Sequence, residues 1–308
     1  MKKQETKLEI KTVCRQNTPI FNVLWDMKKS GLANDTIRNV DKALSALSKR
    51  CDLNKPEQVK TTIAEFKNTG YKRSLTYAYN KYVEFYNLEW KKPDYWQPRK
   101  IPQIPLENHI DSIIARAHIK TATALAISKD TGLRPIELLG LKVNQIDLNR
   151  GLIYPESAKH GQPRVLKLTK RSRSMLNEWI ERQNLKPNDK LFGEWTTENY
   201  GKSFRYYRNI VAKKLHEPDI RAIKLYHLRH FYATMLLRRT KNIYLVKQKL
   251  GHSNIKNTEL YAQIVDILEE DSFACEIAET TEQAKKLIEN GFEYVAEMDG
   301  TMLFRKRK

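Results

Sequence analysis

Between residues 91 and 105 the chain reads KKPDYWQPRKIPQIP. Pro93, Pro98, Pro102 and Pro105 fall within 13 residues. Each proline lacks an amide donor and clashes with a preceding helical turn, so no helix runs through this stretch. It cuts the 308 residues into parts that must build separate cores, in keeping with about 150 residues per domain. We read 93–105 as a linker between a domain at 1–92 and a second at 106–271.

The first part has helical periodicity throughout. TIRNVDKALSALSKRC places Ile37, Val40, Leu44 and Leu47 on one face, the i, i+3, i+4 spacing of an amphipathic helix. KPEQVKTTIAEFKNTG offers Pro56 for a first turn, Val59, Ile63 and Phe66 at helical spacing, and Gly70 as a stop. SLTYAYNKYVEFYNLEW repeats the pattern with Leu75, Ala78, Tyr82 and Phe85. With IFNVLWDMKKSG this predicts about four short helices whose other faces carry lysine and arginine.

The second part begins with a helix marked by Leu106, Ile110, Ile113 and Ala117. An apolar helix ended by Gly132 follows, then one starting at Pro135. QIDLNRGLIYPESAKHGQPRVLKL has turn signals at Asn149-Arg150-Gly151 and His160-Gly161-Gln162, which predict a three-stranded antiparallel meander. Helices are expected again at 170–183, about 198–215, 226–240, 243–250 and about 257–268. Residues 272–308 read as strand, helix and hairpin, the last turning at Asp299-Gly300. The fold class expected is mainly α with a small antiparallel β-sheet (α+β), plus a small C-terminal βαββ appendage.

Charge narrows the partners. The formal net charge is +20. Residues 266–308 hold 11 acidic and 6 basic side chains, a net of −5, which leaves +25 on residues 1–265. Such a surface expects a polyanion. No apolar run approaches the ~20 residues of a membrane span, and MKKQETKLEIK lacks an apolar signal core. A cytoplasmic protein without a membrane partner is expected. Cys14, Cys51 and Cys275 are far apart with no CxxC, which argues against a disulfide framework or a cysteine zinc site. His227 and His230 have the i, i+3 spacing of two metal ligands, but no third or fourth ligand is evident nearby, so no metal is expected.

Several cationic and hydroxyl groups recur in a particular order. Arg134 precedes the Pro135 helix in TGLRPIELLGLK, and Lys159 precedes the second hairpin turn in SAKHGQPRVLKL. Arg229 and His230 lie in YHLRHFYATMLL, and His252 and Tyr261 in KLGHSNIKNTELYA. Singly, each has a bland reading as a structural or solvated side chain.

As an ordered set, these segments resemble the tyrosine recombinase (phage-type integrase) family, with a Xer-like character. The resemblance covers about 106–265, and the helical first part resembles that family's core-binding, DNA-binding domain. It implies a site-specific DNA recombinase or integrase with Arg134, Lys159, Arg229, His252 and Tyr261 as catalytic residues. It also implies double-stranded DNA as partner, a tetramer on paired sites and no cofactor. Chemistry agrees with it. Two guanidiniums can neutralise a phosphorane without metal, and a tyrosine hydroxyl can form a covalent ester that stores the bond energy. No GxxxxGK[ST] loop for ATP is present. By resemblance, Tyr261 joins the 3′-phosphate, Lys159 is the general acid, and Glu137 orients Arg134. Residues about 262–271 are expected to dock on a neighbouring subunit, and the appendage to contact partners or restrain activity.

The chain departs from the family at Tyr226, where most members have histidine. A tyrosine there can bond phosphate but is a poor base, with a reference pKa of ~10. A working phosphate donor, a slower enzyme and a chain without catalysis all stay open, as do a type IB topoisomerase and a non-catalytic DNA-binding regulator. Helical geometry puts Tyr226, Arg229, His230 and Ala233 on one face, near the site.

Overall fold

The structure is a computed structural model that describes residues 18–98, 101–158, 161–268, 273–298 and 300–307. It divides between residues 100 and 101 into two units. Cys14, Lys159, His160 and Asp299 lie outside the described residues.

The first unit is helical: α1 (Thr18–Lys29), α2 (Asn34–Ser48), α3 (Pro56–Glu65) and α4 (Thr69–Tyr86). The predicted stripe of α2 forms its buried face, with Leu44 and Leu47 fully enclosed, each contributing about 1.5–3 kcal/mol. Two expectations need correction. Gly70 does not stop α3, which ends at Glu65; it lies in the first turn of α4, because the Asn68 side chain accepts from the Tyr71 amide and caps that helix. Phe85 is exposed, and Tyr79 is buried in its place. The Tyr79 hydroxyl donates to the Leu53 carbonyl at 2.9 Å, which draws the buried stripe toward positions 75, 79 and 82. Leu88, Trp90 and Tyr95, beyond α4, pack on the same core.

The second unit opens with α5 (Glu107–Arg116), α6 (Ile119–Thr131) and α7 (Pro135–Gly140). Every α6 residue from Thr121 to Ser128 is buried, as a helix without a polar face requires. Leu106, expected on the buried face, is instead the exposed residue preceding α5. A three-stranded antiparallel sheet follows in the order β1 (Ile146–Asp147), β2 (Leu152–Ile153), β3 (Leu166–Lys167). Ile146 pairs with Ile153, and Leu152 with Lys167. Of the expected second turn at 160–162, His160 lies outside the described residues; beside it the Gly161 amide donates to the Ala158 carbonyl at 3.1 Å, and the ladder between β2 and β3 is confined to Leu152–Ile153 and Leu166–Lys167. Pro155 and Pro163 lie between these two strands and cannot donate to a ladder, which keeps it short.

Helices α8 (Lys170–Arg182), α9 (Thr197–Lys214), α10 (His227–Thr240), α11 (Ile243–Leu250) and α12 (Leu260–Leu268) complete this body. The last helix starts later than expected, because residues 255–257 form a separate 3-10 turn. Ala233, Leu236, Leu237, Val246, Leu250, Tyr261, Ile264 and Val265 form one apolar cluster. Within the segment expected to dock on a neighbouring subunit, Ile264 and Val265 pack against their own chain, while Ala262 and Gln263 are exposed. Strands β4 (Phe273–Ala278), β5 (Glu293–Met298) and β6 (Thr301–Arg307), with helix α13 (Thr281–Glu289), make an antiparallel sheet of order β4-β6-β5. Phe304, Ala278 and Ala284 form its small core. Among the described residues no helix is long and apolar enough to cross a membrane.

Candidate active site

Arg229 sits in the first turn of α10 and is only 2% exposed. Its Nη1 donates to the Gly132 carbonyl at 2.6 Å and its Nη2 to the Leu250 carbonyl at 2.7 Å. Gly132 is the left-handed cap of α6, and Leu250 is the last residue of α11. Carbonyls at helix C-termini carry partial negative charge, so a buried guanidinium is held between two helix ends. The Arg229 Nε has no hydrogen-bond partner among the described residues. Burial, then the nearby Arg134, pushes the Arg229 pKa down to about 10; it stays charged at neutral pH.

These two carbonyls bring in two more predicted residues. Gly132 is two positions before Arg134, and Leu250 two before His252. Arg134 precedes α7, and its backbone amide and Nη1 donate to the two Glu137 oxygens at 2.9 and 2.7 Å. His252 follows Gly251, whose φ of +64° ends α11. It therefore lies just past the end of the helix. Its Nδ1 is 3.0 Å from the Thr258 hydroxyl. Burial, followed by the charges of Arg229 and Arg134, pushes its pKa down to about 4. The ring is neutral, and when Thr258 donates to Nδ1 the proton sits on Nε2, free to donate.

Tyr261 occupies the first turn of α12 and is 2% exposed. Its hydroxyl is 2.9 Å from His230 Nδ1. Burial pushes its pKa up to about 12 against the opposing charge of Arg229. Tyr226 does not begin α10 but is its N-cap, half-exposed. Its ring meets His230 edge-on at 5.2 Å.

Lys159 lies outside the described residues, but the segment around it packs on the site. The Ala158 amide donates to Glu137 Oε1 at 3.2 Å. A Cβ on Gly161 would come within 3.1 Å of the Gly251 carbonyl and 3.5 Å of Arg134 Nη1.

Sequence reasoning missed Arg164. Its Nη2 donates to Glu137 Oε2 at 2.6 Å, and both side chains are sealed from solvent. Burial alone raises the Glu137 pKa. The Arg134 amide, the Arg164 charge and the Arg134 side chain overcome it and hold the carboxyl below its ordinary value. The available signal was period two: Arg164, Leu166 and Leu168 alternate, and all three are buried.

The His227 and His230 rings are 6.1 Å apart. Among the described residues no group of three or more histidine, cysteine or acidic side chains is placed to hold a metal.

The fold is that of the DNA integrases. It matches a lambda integrase dimer bound to a COC′ core site with a TM-score of 0.62, at 12% identity over 83% of this chain and 98% of that one. It matches the Tn1549 transposon integrase in complex with transposon right end DNA with a TM-score of 0.61, at 18% identity over 89% and 99% of the two chains. Residues 105–266, just over half of the sequence, match the phage integrase family model, and the chain belongs to that family. It is 28% identical over 219 residues to the tyrosine recombinase XerA of Saccharolobus solfataricus, covering 69% of this chain and 70% of that protein. It is 27% identical over 239 residues to a tyrosine recombinase of Thermosipho africanus, covering 74% and 80%. Its enzyme class is that of the tyrosine site-specific recombinases.

Proposed function

We propose that this chain cuts and rejoins double-stranded DNA at a specific site, with Tyr261 as nucleophile and without metal or nucleotide cofactor. One observation carries the reading. The Arg229-His230 dipeptide is bonded to three segments 97, 21 and 31 residues away, at Gly132, Leu250 and Tyr261. It thereby gathers Arg134, His252 and Tyr261 around one guanidinium.

In this reading Arg134 and Arg229 donate to the non-bridging oxygens of the scissile phosphate, each worth ~10²–10³ in rate. The Tyr261 oxygen attacks phosphorus, the bond to the 5′-oxygen breaks, and a 3′-phosphotyrosyl ester forms. His252 adds a neutral donor. Lys159 delivers the proton to the departing 5′-oxygen. Attack by a 5′-hydroxyl reverses the steps and reseals the strand. The +25 charge on residues 1–265 supports DNA as partner. Exchange between two duplexes breaks four strands, which calls for four protomers.

The test is covalent capture. The protein is incubated in chelator with a pool of nicked duplexes that trap the cleaved strand. An adduct should form and map to Tyr261, and Tyr261→Phe should bind the same duplexes without forming it. An adduct on another residue overturns the assignment. Undiminished recombination by Tyr261→Phe overturns the enzyme reading and leaves a DNA-binding regulator.

A further inference from the structure

We propose that His230 is the proton acceptor for Tyr261, taking over at the nucleophile the proton handling that Tyr226 cannot supply. The proposal rests on the reading of Tyr261 as nucleophile.

The geometry is direct. His230 Nδ1 and the Tyr261 hydroxyl are 2.9 Å apart, within the reach of a general base. With the His230 proton on Nε2, the phenol donates to the Nδ1 lone pair. Other candidates are occupied or unsuited. The His252 Nδ1 is engaged by Thr258. Tyr226 is a phenol whose ring packs edge-on against the imidazole. Tyr226 and Tyr261 thus both contact the His230 ring, with centroids at 5.2 and 5.8 Å. In this arrangement Tyr226 orients the base rather than acting as one.

The groups facing His230 set its protonation. From its own helix these are His227 and Arg229, with Tyr226 at the helix start. Tyr261 approaches from α12, and His252 from the turn after α11. Arg134 adds a further charge near Tyr261. Burial, then His227 and Arg229, pushes the His230 pKa down to about 4. The ring is therefore unprotonated and able to accept at neutral pH. The developing negative charge of the phosphorane offsets the two arginines and raises its basicity as the proton arrives.

The step balances. The Tyr261 O–H bond breaks and its proton moves to Nδ1. The oxygen forms the bond to phosphorus, and the 5′-oxygen leaves with a proton from the acid. In resealing, the His230 imidazolium returns its proton to the departing tyrosine.

Single-turnover cleavage is measured on a trapping duplex first selected from the random pool by the wild-type protein. His230→Gln keeps a side chain that can hold the phenol by a hydrogen bond but cannot accept its proton. It should bind the duplex as the wild type does and cleave ~10²-fold or more slowly. The wild-type rate should fall as pH falls through an acidic limb, and this limb should be missing from His230→Gln. His230→Ala should recover part of its rate with added imidazole. A His230→Gln rate equal to wild type overturns the proposal. So does a slowed variant that keeps the acidic limb while His230→Ala gains nothing from imidazole. Failure of the wild type to form an adduct at Tyr261 overturns the underlying functional reading as well, which separates the two.

Discussion

Arg164 Nη2 lies 2.6 Å from Glu137 Oε2, and the two side chains are 1% and 0% exposed. The same carboxylate receives the Arg134 amide, Arg134 Nη1 and the Ala158 amide. One buried acid thus fixes Arg134, the proposed phosphate-binding arginine, and the backbone at Ala158. Removing a single partner strands an uncompensated buried charge. Arg164→Met and Glu137→Gln should each cost ~3–5 kcal/mol in denaturant unfolding. The double variant should cost clearly less than the sum of the singles. Additivity would show that the pair is not coupled.

Gly132 meets two demands at once. Its φ is +60°, and an added Cβ would lie 2.5 Å from the Tyr232 ring. Its carbonyl also accepts from Arg229. Gly132→Ala should lose ~1–2 kcal/mol to the left-handed backbone, with ~1–3 kcal/mol more from overpacking. Adduct formation should fall further than DNA binding, because the carbonyl that aims Arg229 shifts. Parallel melting, binding and cleavage measurements check this, and an unchanged adduct rate would refute it.

The ease of reading this chain varied with how local each signal was. Helix α11 is legible because its apolar spacing, the Asn242 cap and Gly251 all act within one turn of its ends. Arg134, Arg229, His252 and Tyr261 were visible as an ordered set of residue types. Their convergence was not, since the Arg229–Gly132 bond spans 97 residues and no local periodicity encodes it. Gly70 misled because glycine usually stops helices, whereas here the Asn68 side chain starts one. Arg164 was passed over because arginine defaults to the surface. Its carboxylate partner, distant in sequence, makes its burial tolerable, with the Ser157 hydroxyl accepting from Nη1 at 3.3 Å.

Acid should destabilise the fold in two stages. His230 and His252 have folded pKa values lowered to about 4 from 6.5. The unfolded chain binds more protons between those values, so their contribution is full above pH 6.5 and is lost as pH falls toward 4. Glu137 is also held below its ordinary 4.5. Its contribution is present above that value and is lost as pH falls through the folded pKa. Unfolding midpoints should therefore decline from pH 6.5 downward and again below 4.5. A double His230→Asn, His252→Asn variant should flatten the first stage; an identical slope would contradict these assignments.

Thr258 tests whether His252 acts through Nε2. Thr258 is fully buried, and its hydroxyl faces His252 Nδ1 at 3.0 Å. Thr258→Val keeps the shape but removes the hydroxyl, leaving a buried ring nitrogen without its partner at a cost of ~1–3 kcal/mol. The proton is then no longer directed to Nε2, so the ring more often presents a lone pair to the phosphate. Cleavage of the trapping duplex should slow by ~10-fold or more, since 1.4 kcal/mol of lost transition-state stabilisation is already tenfold. DNA affinity should change little, because one neutral ring is a small part of a surface with a net charge of +25 over residues 1–265. Thr258→Ser restores the hydroxyl and should recover most of the rate. If it cleaves no faster than Thr258→Val, packing rather than tautomer control accounts for Thr258.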